Sequence, residues 1–350
     1  MRVVLVGGGT AGHVNPNFAI HELIKKHYKD APVIFITSKN SFEKSLFTYR
    51  NLKVYYISSG KLRRYFDLKN FYDPFKIMYG TFQSLKIIWR FQPDVIFTKG
   101  GFTSVPVAIA AFLLRKKLIL HESDSSLGLA NKICALFTQN VWYSSDKFIN
   151  PKKSFTQVKL PHAQSLSKGD SSKVPGVEKF SKQKQTLLIM GGSSGAKVIN
   201  DFIQEHLSQL TEKYNIIHVT GKINNPVKNT QKVQNYVQFD YVNNLSDIYA
   251  ATDIVLSRAG AISLSEYEFL GLKALLVPLG SHQSRGDQIE NAKIFTDKKL
   301  GLTLSESQLN LESCLKNLDK LKSFKSQSPH QSNQMNQIFL THLESVVNQH

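Results

Sequence analysis

Cysteine is almost missing from this 350-residue chain. Cys134 and Cys314 are the only two, and they stand far apart. They offer neither a disulfide framework nor the paired spacing of a zinc site, and they fit a reducing compartment. Long hydrophobic runs are missing too. The longest, residues 105–114, is about half of what a membrane-spanning helix needs. The apolar residues 3–6 are too few for a signal peptide and run straight into glycines. A soluble or peripheral protein is expected. Acidic residues are scarce, 26 against 44 Lys and Arg, for a net charge of +18. The imbalance is one-sided: residues 1–160 hold 24 basic and 9 acidic side chains, the remainder 20 and 17. Such asymmetry points to one anionic surface or partner facing the first half, rather than to a uniformly basic nucleic-acid binder.

What is present is an ordinary apolar content of 41% and enough length for two domains. Short β-rich runs at 3–6, 33–37, 54–57, 95–98 and 118–121 alternate with helical segments at 17–26, 79–91, 105–114 and 129–136. Strands joined by helical crossovers predict a parallel sheet covered on both faces. The pattern dissolves near residues 152–184, where "SLSKGDSSKVPGVEKFSKQKQ" reads as a linker. It restarts at "TLLIMGGSSGAKVIN", again strand, glycine turn and helix. Strands follow at 216–219, 237–239, 254–256 and 274–277. A polar tail leads to an amphipathic helix at 338–347. The expected boundaries are 1–160 for the first domain, 161–184 for a linker, 185–330 for the second domain and 331–350 for a terminal helix returning to the first.

"VVLVGGGTAGHVNP" poses the functional question. Glycines between a strand and a helix let a diphosphate approach the helix N-terminus, where free N–H groups and the helix dipole favour negative charge. A dinucleotide site would also need an acidic residue about 20 positions on, for the ribose. The second strand instead ends in Ser38, Lys39 and Asn40. His13, directly after the last glycine, is either a polar helix-start residue, with Asn15 or Asn17 as capping material, or a general base that titrates near neutrality.

Further motifs decide between these readings. "GGGTAGHVNP", "TKGGFTSVP", "LILHESD", "GLANK", "MGGSSGAKVIN", "LSRAGAISLSE" and "VPLGSHQSRGDQIENA" occur in this order. Together they closely resemble the MurG family of bacterial N-acetylglucosaminyltransferases, over about residues 1–300. The resemblance implies a GT-B fold, two Rossmann-like α/β domains with parallel sheets facing across a cleft. It also implies inverting, metal-independent transfer of GlcNAc from UDP-GlcNAc to lipid I, without a cofactor, at the cytoplasmic side of the cell membrane.

By that resemblance the second domain holds the donor. Glu266 takes the ribose hydroxyls, although in isolation it reads as a first-turn helix acid. Ala261, Ile262, Ser263, Leu264 and Ser265 bring amides to the diphosphate, and Ser193 adds a hydroxyl or an N-cap. Val242 lines the uracil pocket or is simply core, and Gln288 binds GlcNAc hydroxyls. From the first domain Thr10, Ala11 and Gly12 reach the donor. His13 and Glu122 are the candidate bases, while His121 reads as structural. Asp124 stands where many relatives carry a sugar-binding Asn. Lys99, Gly100 and Gly101 form a cradle for the acceptor diphosphate. One departure stands out: Gln164 occupies the place of an arginine thought to contact the donor. It lacks the charge and fork of that side chain, so either another cation substitutes, with Arg258 and Arg285 as candidates, or donor binding is weaker.

Residues 60–90 carry seven Lys or Arg against two Asp, and eight aromatics. Lys61, Arg63, Arg64, Tyr65 and Phe66 open this segment. Cations near anionic head groups and rings at the interface would dock the domain on the inner leaflet. A helix pair with a core aromatic stripe is the alternative, and RNA stacking is a further one that no RNA-binding motif accompanies. For the whole chain, the rivals are a GT-B transferase with another lipid acceptor, such as a diacylglycerol, and a non-catalytic UDP-sugar sensor.

Overall fold

The computed structural model describes residues 1–39, 41–60, 69–149, 152, 154–162, 164–192, 195–221, 233–242, 244–280, 286–324 and 332–349. The chain forms two compact units, Met1–Ala163 with Ser332–His350, and Gln164–Gln331.

The first unit begins with β1 (Val3–Val6), α1 (Ala11–His27), β2 (Val33–Ser38), α2 (Ser41–Arg50), β3 (Val54–Ile57) and α3 (Lys69–Phe91). It continues with β4 (Val95–Thr98), α4 (Ser104–Leu113), β5 (Leu118–Glu122), α5 (Leu129–Cys134), β6 (Asn140–Tyr143) and β7 (Phe155–Gln157). The seven strands are all parallel, in the order β3-β2-β1-β4-β5-β6-β7. Successive side chains of a strand point to opposite faces, so a sheet buried on both faces needs unbroken apolar runs. Val4, Val6, Ile34, Ile36, Ile96, Leu118 and Leu120 share one core cluster with Val105, Val107 and Ala108 of α4 and Ala130 of α5. The alternate residues turn the other way: Phe35 packs against Phe18 of α1 and Phe47 of α2.

The second unit holds β8 (Thr186–Met190), α6 (Lys197–Lys213), β9 (Asn215–Val219), β10 (Tyr236–Phe239), α7 (Leu245–Ala250), β11 (Ile254–Ser257) and α8 (Ala261–Leu270). It ends with β12 (Lys273–Leu276), α9 (Asp287–Asp297), β13 (Gly301–Thr303) and α10 (Leu311–Lys322). Its six parallel strands run β10-β9-β8-β11-β12-β13. This is the same winding as in the first unit, a strand order found in dinucleotide-binding α/β folds.

Several features differ from the sequence expectations, among them α2, β6, β7 and β13, which no expected run covers. The segment expected as a linker is structured from Gln164 onward and belongs to the second unit. Its 3-10 turns at Gln164–Lys168, Ser171–Lys173 and Val177–Lys179 carry Leu166, Val177 and Phe180 onto the core beside Ile248 and Tyr249 of α7. The Asp170 amide donates to Asp247 at 2.8 Å. Few apolar residues do this work, so composition hid it. Helix α1 starts at Ala11, with Thr10 as N-cap, six residues before the expected start. Asn15 and Asn17 are therefore inside the helix and cap nothing. Helix α3 starts at Lys69, ten residues early; Asp73 and Pro74 had masked its period.

The last helix, α11 (Ser332–Asn348), packs in the first unit. Its Phe339 is fully buried, edge-on to Phe97 of β4 and Trp142 of β6 at 5.7 and 5.6 Å between ring centroids. Lys117 Nζ donates to the carbonyls of Val347 and Gln349 at the helix end, where a cation also complements the dipole. Truncating a buried Phe costs about 3–5 kcal/mol. Phe339→Ala should therefore destabilise the first unit by about that amount in urea unfolding; a loss below about 1 kcal/mol would show the helix is not integral to it.

Candidate active site

In both sheets the strand order reverses beside the first strand, between β1 and β4 and between β8 and β11. Ligands of open α/β sheets bind outside the carboxyl ends of the strands at such a reversal. The four loops that leave these strand ends are residues 7–10, 99–103, 191–196 and 258–260. All four contain glycine.

In the first unit two of these loops are in close contact. A Cβ on Gly8 would lie 2.5 Å from Thr103 Oγ1, and one on Gly101 would lie 2.4 Å from Gly8 O and 2.9 Å from His13 Nδ1. Gly101 also has φ +82°, in the left-handed region that side chains avoid. The Thr98 and Ser104 hydroxyls tie down the second loop: Thr98 Oγ1 accepts from the Gly100 amide at 3.3 Å, and Ser104 Oγ donates to Gly100 O at 2.9 Å. At the start of α1 the amides of Ala11 and Gly12 have no acceptor within the helix, since the first bond there runs from His13 N to Thr10 O. His13 Nδ1 lies 3.1 Å from Gly8 O and 3.3 Å from Thr10 Oγ1. A carbonyl can only accept, so Nδ1 carries the proton and the basic lone pair of the neutral ring resides on Nε2.

Glu122 is only 5% exposed, and its two oxygens accept four bonds. Oε1 takes the amides of Ser123 and Asp124 at 2.9 and 3.2 Å; Oε2 takes the Gly128 amide at 2.9 Å and Asn131 Nδ2 at 2.8 Å. About four acceptor sites are all a carboxylate has. Glu122 therefore organises the loop after β5, and of the two candidate bases His13 is the one the geometry favours. Burial, and then Asp124, push the Glu122 carboxyl above its usual range, against the pull of Lys99 and the amides. Lys99 is 3% exposed; burial lowers its ammonium pKa, and Glu122 and Asp124 oppose that. Asn131 fixes the adjoining turn, its Oδ1 lying 2.7 Å from where a Gly100 Cβ would be. His121 is fully buried with Nε2 3.0 Å from Val158 O, as a structural residue should be.

In the second unit α8 begins at Gly260 without any side-chain cap. A Cβ on Gly260 would meet nothing within 4 Å. The amides of Ala261, Ile262 and Ser263 thus receive no side-chain cap, and the positive pole of the helix dipole lies at this end. Leu264 N is already spent on Gly260 O, and Ser265 lies one position deeper in the helix. Glu266 is not in the first turn, which holds no acid. It sits in the second turn, half-buried, where Tyr249 Oη of α7 donates to its Oε2 at 2.7 Å. Burial lifts its pKa to about 7, and the tyrosine bond pulls the other way. Gln288 of α9 accepts the Leu279 amide on Oε1 at 3.0 Å, which directs its amide nitrogen elsewhere. Val242 is half-buried against the core beside α7.

Arg258 does not replace the expected donor-binding arginine. It is 7% exposed, with Nη1 donating to Val277 O at 3.0 Å and Nη2 to Glu306 at 2.5 Å. The Gln164 backbone opens the first 3-10 turn of the second unit. Ser193, Arg285, Lys61, Arg63, Arg64, Tyr65 and Phe66 lie outside the described residues. Helix α6 has Ala196 as its N-cap residue. Sequence reasoning missed Tyr249 and Asn131, whose roles depend on partners from other elements.

Glycine turns at two sheet reversals and the uncapped start of α8 are the places where open α/β sheets receive diphosphate-bearing ligands. Residues 3–143 match the N-terminal domain of glycosyltransferase family 28, and residues 186–348 match its C-terminal domain. The chain is 44% identical over 329 residues to a Clostridium novyi protein named UDP-N-acetylglucosamine--N-acetylmuramyl-(pentapeptide) pyrophosphoryl-undecaprenol N-acetylglucosamine transferase, covering 91% of this chain and 90% of that one. A Bacillus anthracis protein of the same name, numbered 2, is 41% identical over 91% of both chains. Among solved structures, MurG of Acinetobacter baumannii superposes with a TM-score of 0.65 at 20% identity, over 97% of this chain and 99% of that one. A UDP-GlcNAc 2-epimerase from Neisseria meningitidis, bound to UDP-GlcNAc, gives 0.67 at 13% identity, over 99% and 100%. These two likenesses speak for the GT-B fold. The chain belongs to the MurG family and is a UDP-GlcNAc-dependent N-acetylglucosaminyltransferase.

Replacing Glu122 with Gln would turn an acceptor into a donor facing other donors. Glu122→Gln should lower stability by about 1–3 kcal/mol in urea unfolding; a purely catalytic base would leave stability unchanged.

Proposed function

We propose that this enzyme moves GlcNAc from UDP-GlcNAc to lipid I, the undecaprenyl-diphospho-MurNAc-pentapeptide, giving lipid II for peptidoglycan synthesis with inversion at the anomeric carbon. The 41–44% identity to transferases named for that acceptor carries the reading. The second unit grips the donor. Glu266 takes the ribose hydroxyls through Oε1, Tyr249 already holding Oε2. The Ala261, Ile262 and Ser263 amides at the start of α8 receive the diphosphate and stabilise it as the leaving group. Gln288 and Asp124 contact the transferred sugar. Thr10, Ala11 and Gly12 contribute from the first unit, where the Gly100 and Gly101 turn, with Lys99 beneath it, receives the acceptor diphosphate. His13 takes the proton from the attacking 4-hydroxyl of the muramoyl sugar through Nε2.

Helix α3 supports docking on the inner leaflet. Tyr72, Phe75, Met78, Tyr79, Phe82 and Trp89 are each more than half exposed. At 3.6 residues per turn they fall on one side of the helix, with the exposed Lys86 and Arg90 among them and Lys76 at the edge. A water-facing helix side would ordinarily be polar. Rings entering the interface and cations against anionic head groups suit a peripheral protein. Among the described residues no helix is long and apolar enough to cross a membrane.

Two measurements test this. Transfer should occur to lipid I and not to diacylglycerol; the reverse preference would overturn the acceptor assignment. Donor affinity should also follow the ionisation of Glu266, because only the carboxylate accepts from both ribose hydroxyls. With its pKa at about 7, the acceptor form is lost as pH falls. The Kd for UDP-GlcNAc should then rise about tenfold from pH 8 to pH 6 by calorimetry, and Glu266→Gln should bind weakly with no such dependence. A flat profile in the parent enzyme would remove Glu266 from the ribose site.

A further inference from the structure

Between α3 and α4 lies a furrow of about 480 Å³, within the size range of ligand pockets. Ile77, Met78, Phe82 and Leu85 of α3 face Ile109 and Leu113 of α4 across it. Its one side-chain hydroxyl, on Thr81, donates back to Ile77 O at 2.9 Å. No polar side-chain group remains to orient a hydroxyl, amide or charge, so the furrow suits hydrocarbon alone.

Its position narrows the occupant. Helix α4 begins directly after the Lys99–Gly100–Gly101 cradle, and Ile109 and Leu113 are five and nine residues past its first residue. At 1.5 Å per residue they lie about 8 and 14 Å along the axis from that end. A chain leaving a diphosphate in the cradle would need only two or three isoprene units to reach the furrow. Lys76 is paired with Asp73 at 3.4 Å, and the exposed Lys86 on α3 favours an occupant whose own head is anionic, in keeping with the basic first half of the chain. That charge disfavours a second copy of this chain, whose first half is equally basic.

We propose that this furrow seats the first isoprene units of the acceptor's own hydrocarbon tail, a role distinct from contact with bulk bilayer. The proposal rests on the lipid diphosphate acceptor argued above. The convex rings of Tyr72, Phe75, Tyr79 and Trp89 meet the membrane, while the concave furrow holds one chain. Each buried methylene strengthens binding by roughly fourfold at best, so chain length should be read in the acceptor kinetics.

The test uses acceptor analogues with the same sugar-peptide diphosphate head and two, four or seven isoprene units. They are assayed below their aggregation concentrations, without detergent or vesicles. For the parent enzyme, kcat/KM should rise at least tenfold from two units to four and then level off. Leu113→Trp and Met78→Trp fill the furrow from positions that are 59% and 53% exposed, so both variants should fold. In each, the four-to-two ratio should fall to about twofold or less. A ratio that persists in both variants, or a parent enzyme indifferent to length, overturns the proposal. So does loss of sedimentation with anionic vesicles while the ratio stays intact, which would assign the furrow to bilayer contact. Failure of the parent enzyme to glycosylate any of the three analogues would instead overturn the lipid I reading itself.

Discussion

The rest of this molecule depends on how closely main chain can approach main chain at the carboxyl ends of its strands. At the first reversal the loops after β1 and β4 meet where a side chain on Gly8 or Gly101 would collide with Thr103, with Gly8 O or with the His13 ring. That contact sets the His13 tautomer, because the carbonyl next to the ring can only accept. It also brings the start of α1 and the turn before α4 side by side. Alanine at either glycine would therefore disturb the proposed base and the acceptor cradle together.

The second unit meets the same demand differently. Its helix α8 starts without a cap, leaving amides for a ligand rather than satisfying them from the protein. The carboxylate that completes the site is held by a tyrosine on another helix, and burial raises its pKa towards neutrality. Half-burying a carboxyl group costs stability, and in the proposed donor site that acceptor would serve the ribose hydroxyls. The neighbouring arginine is committed to Glu306 and Val277 O. Breaking that buried pair would leave an uncompensated charge.

Much of this was legible in the sequence, for local reasons. The strand runs and glycine turns are contiguous patterns, so ten of the thirteen strands and all four loops could be read from them, while the short strands β6, β7 and β13 could not. The MurG resemblance rests on the same loops. What escaped was non-local. Tyr249 gains its meaning from Glu266, 17 residues away, and Arg258 from Glu306, 48 away. Glu122 looks like an acid available for chemistry until four donors are found around it. The expected linker escaped because four apolar side chains, Leu166, Val174, Val177 and Phe180, among many polar ones suffice to anchor it.

Helix α11 completes the first unit but follows the whole of the second in the chain. On the ribosome, Phe97 and Trp142 emerge long before Phe339 can cover them. At typical elongation rates the delay is on the order of ten seconds. The second unit can fold within that interval, since all of its strands are already present. The nascent first unit meanwhile carries an uncovered aromatic face until the last helix arrives.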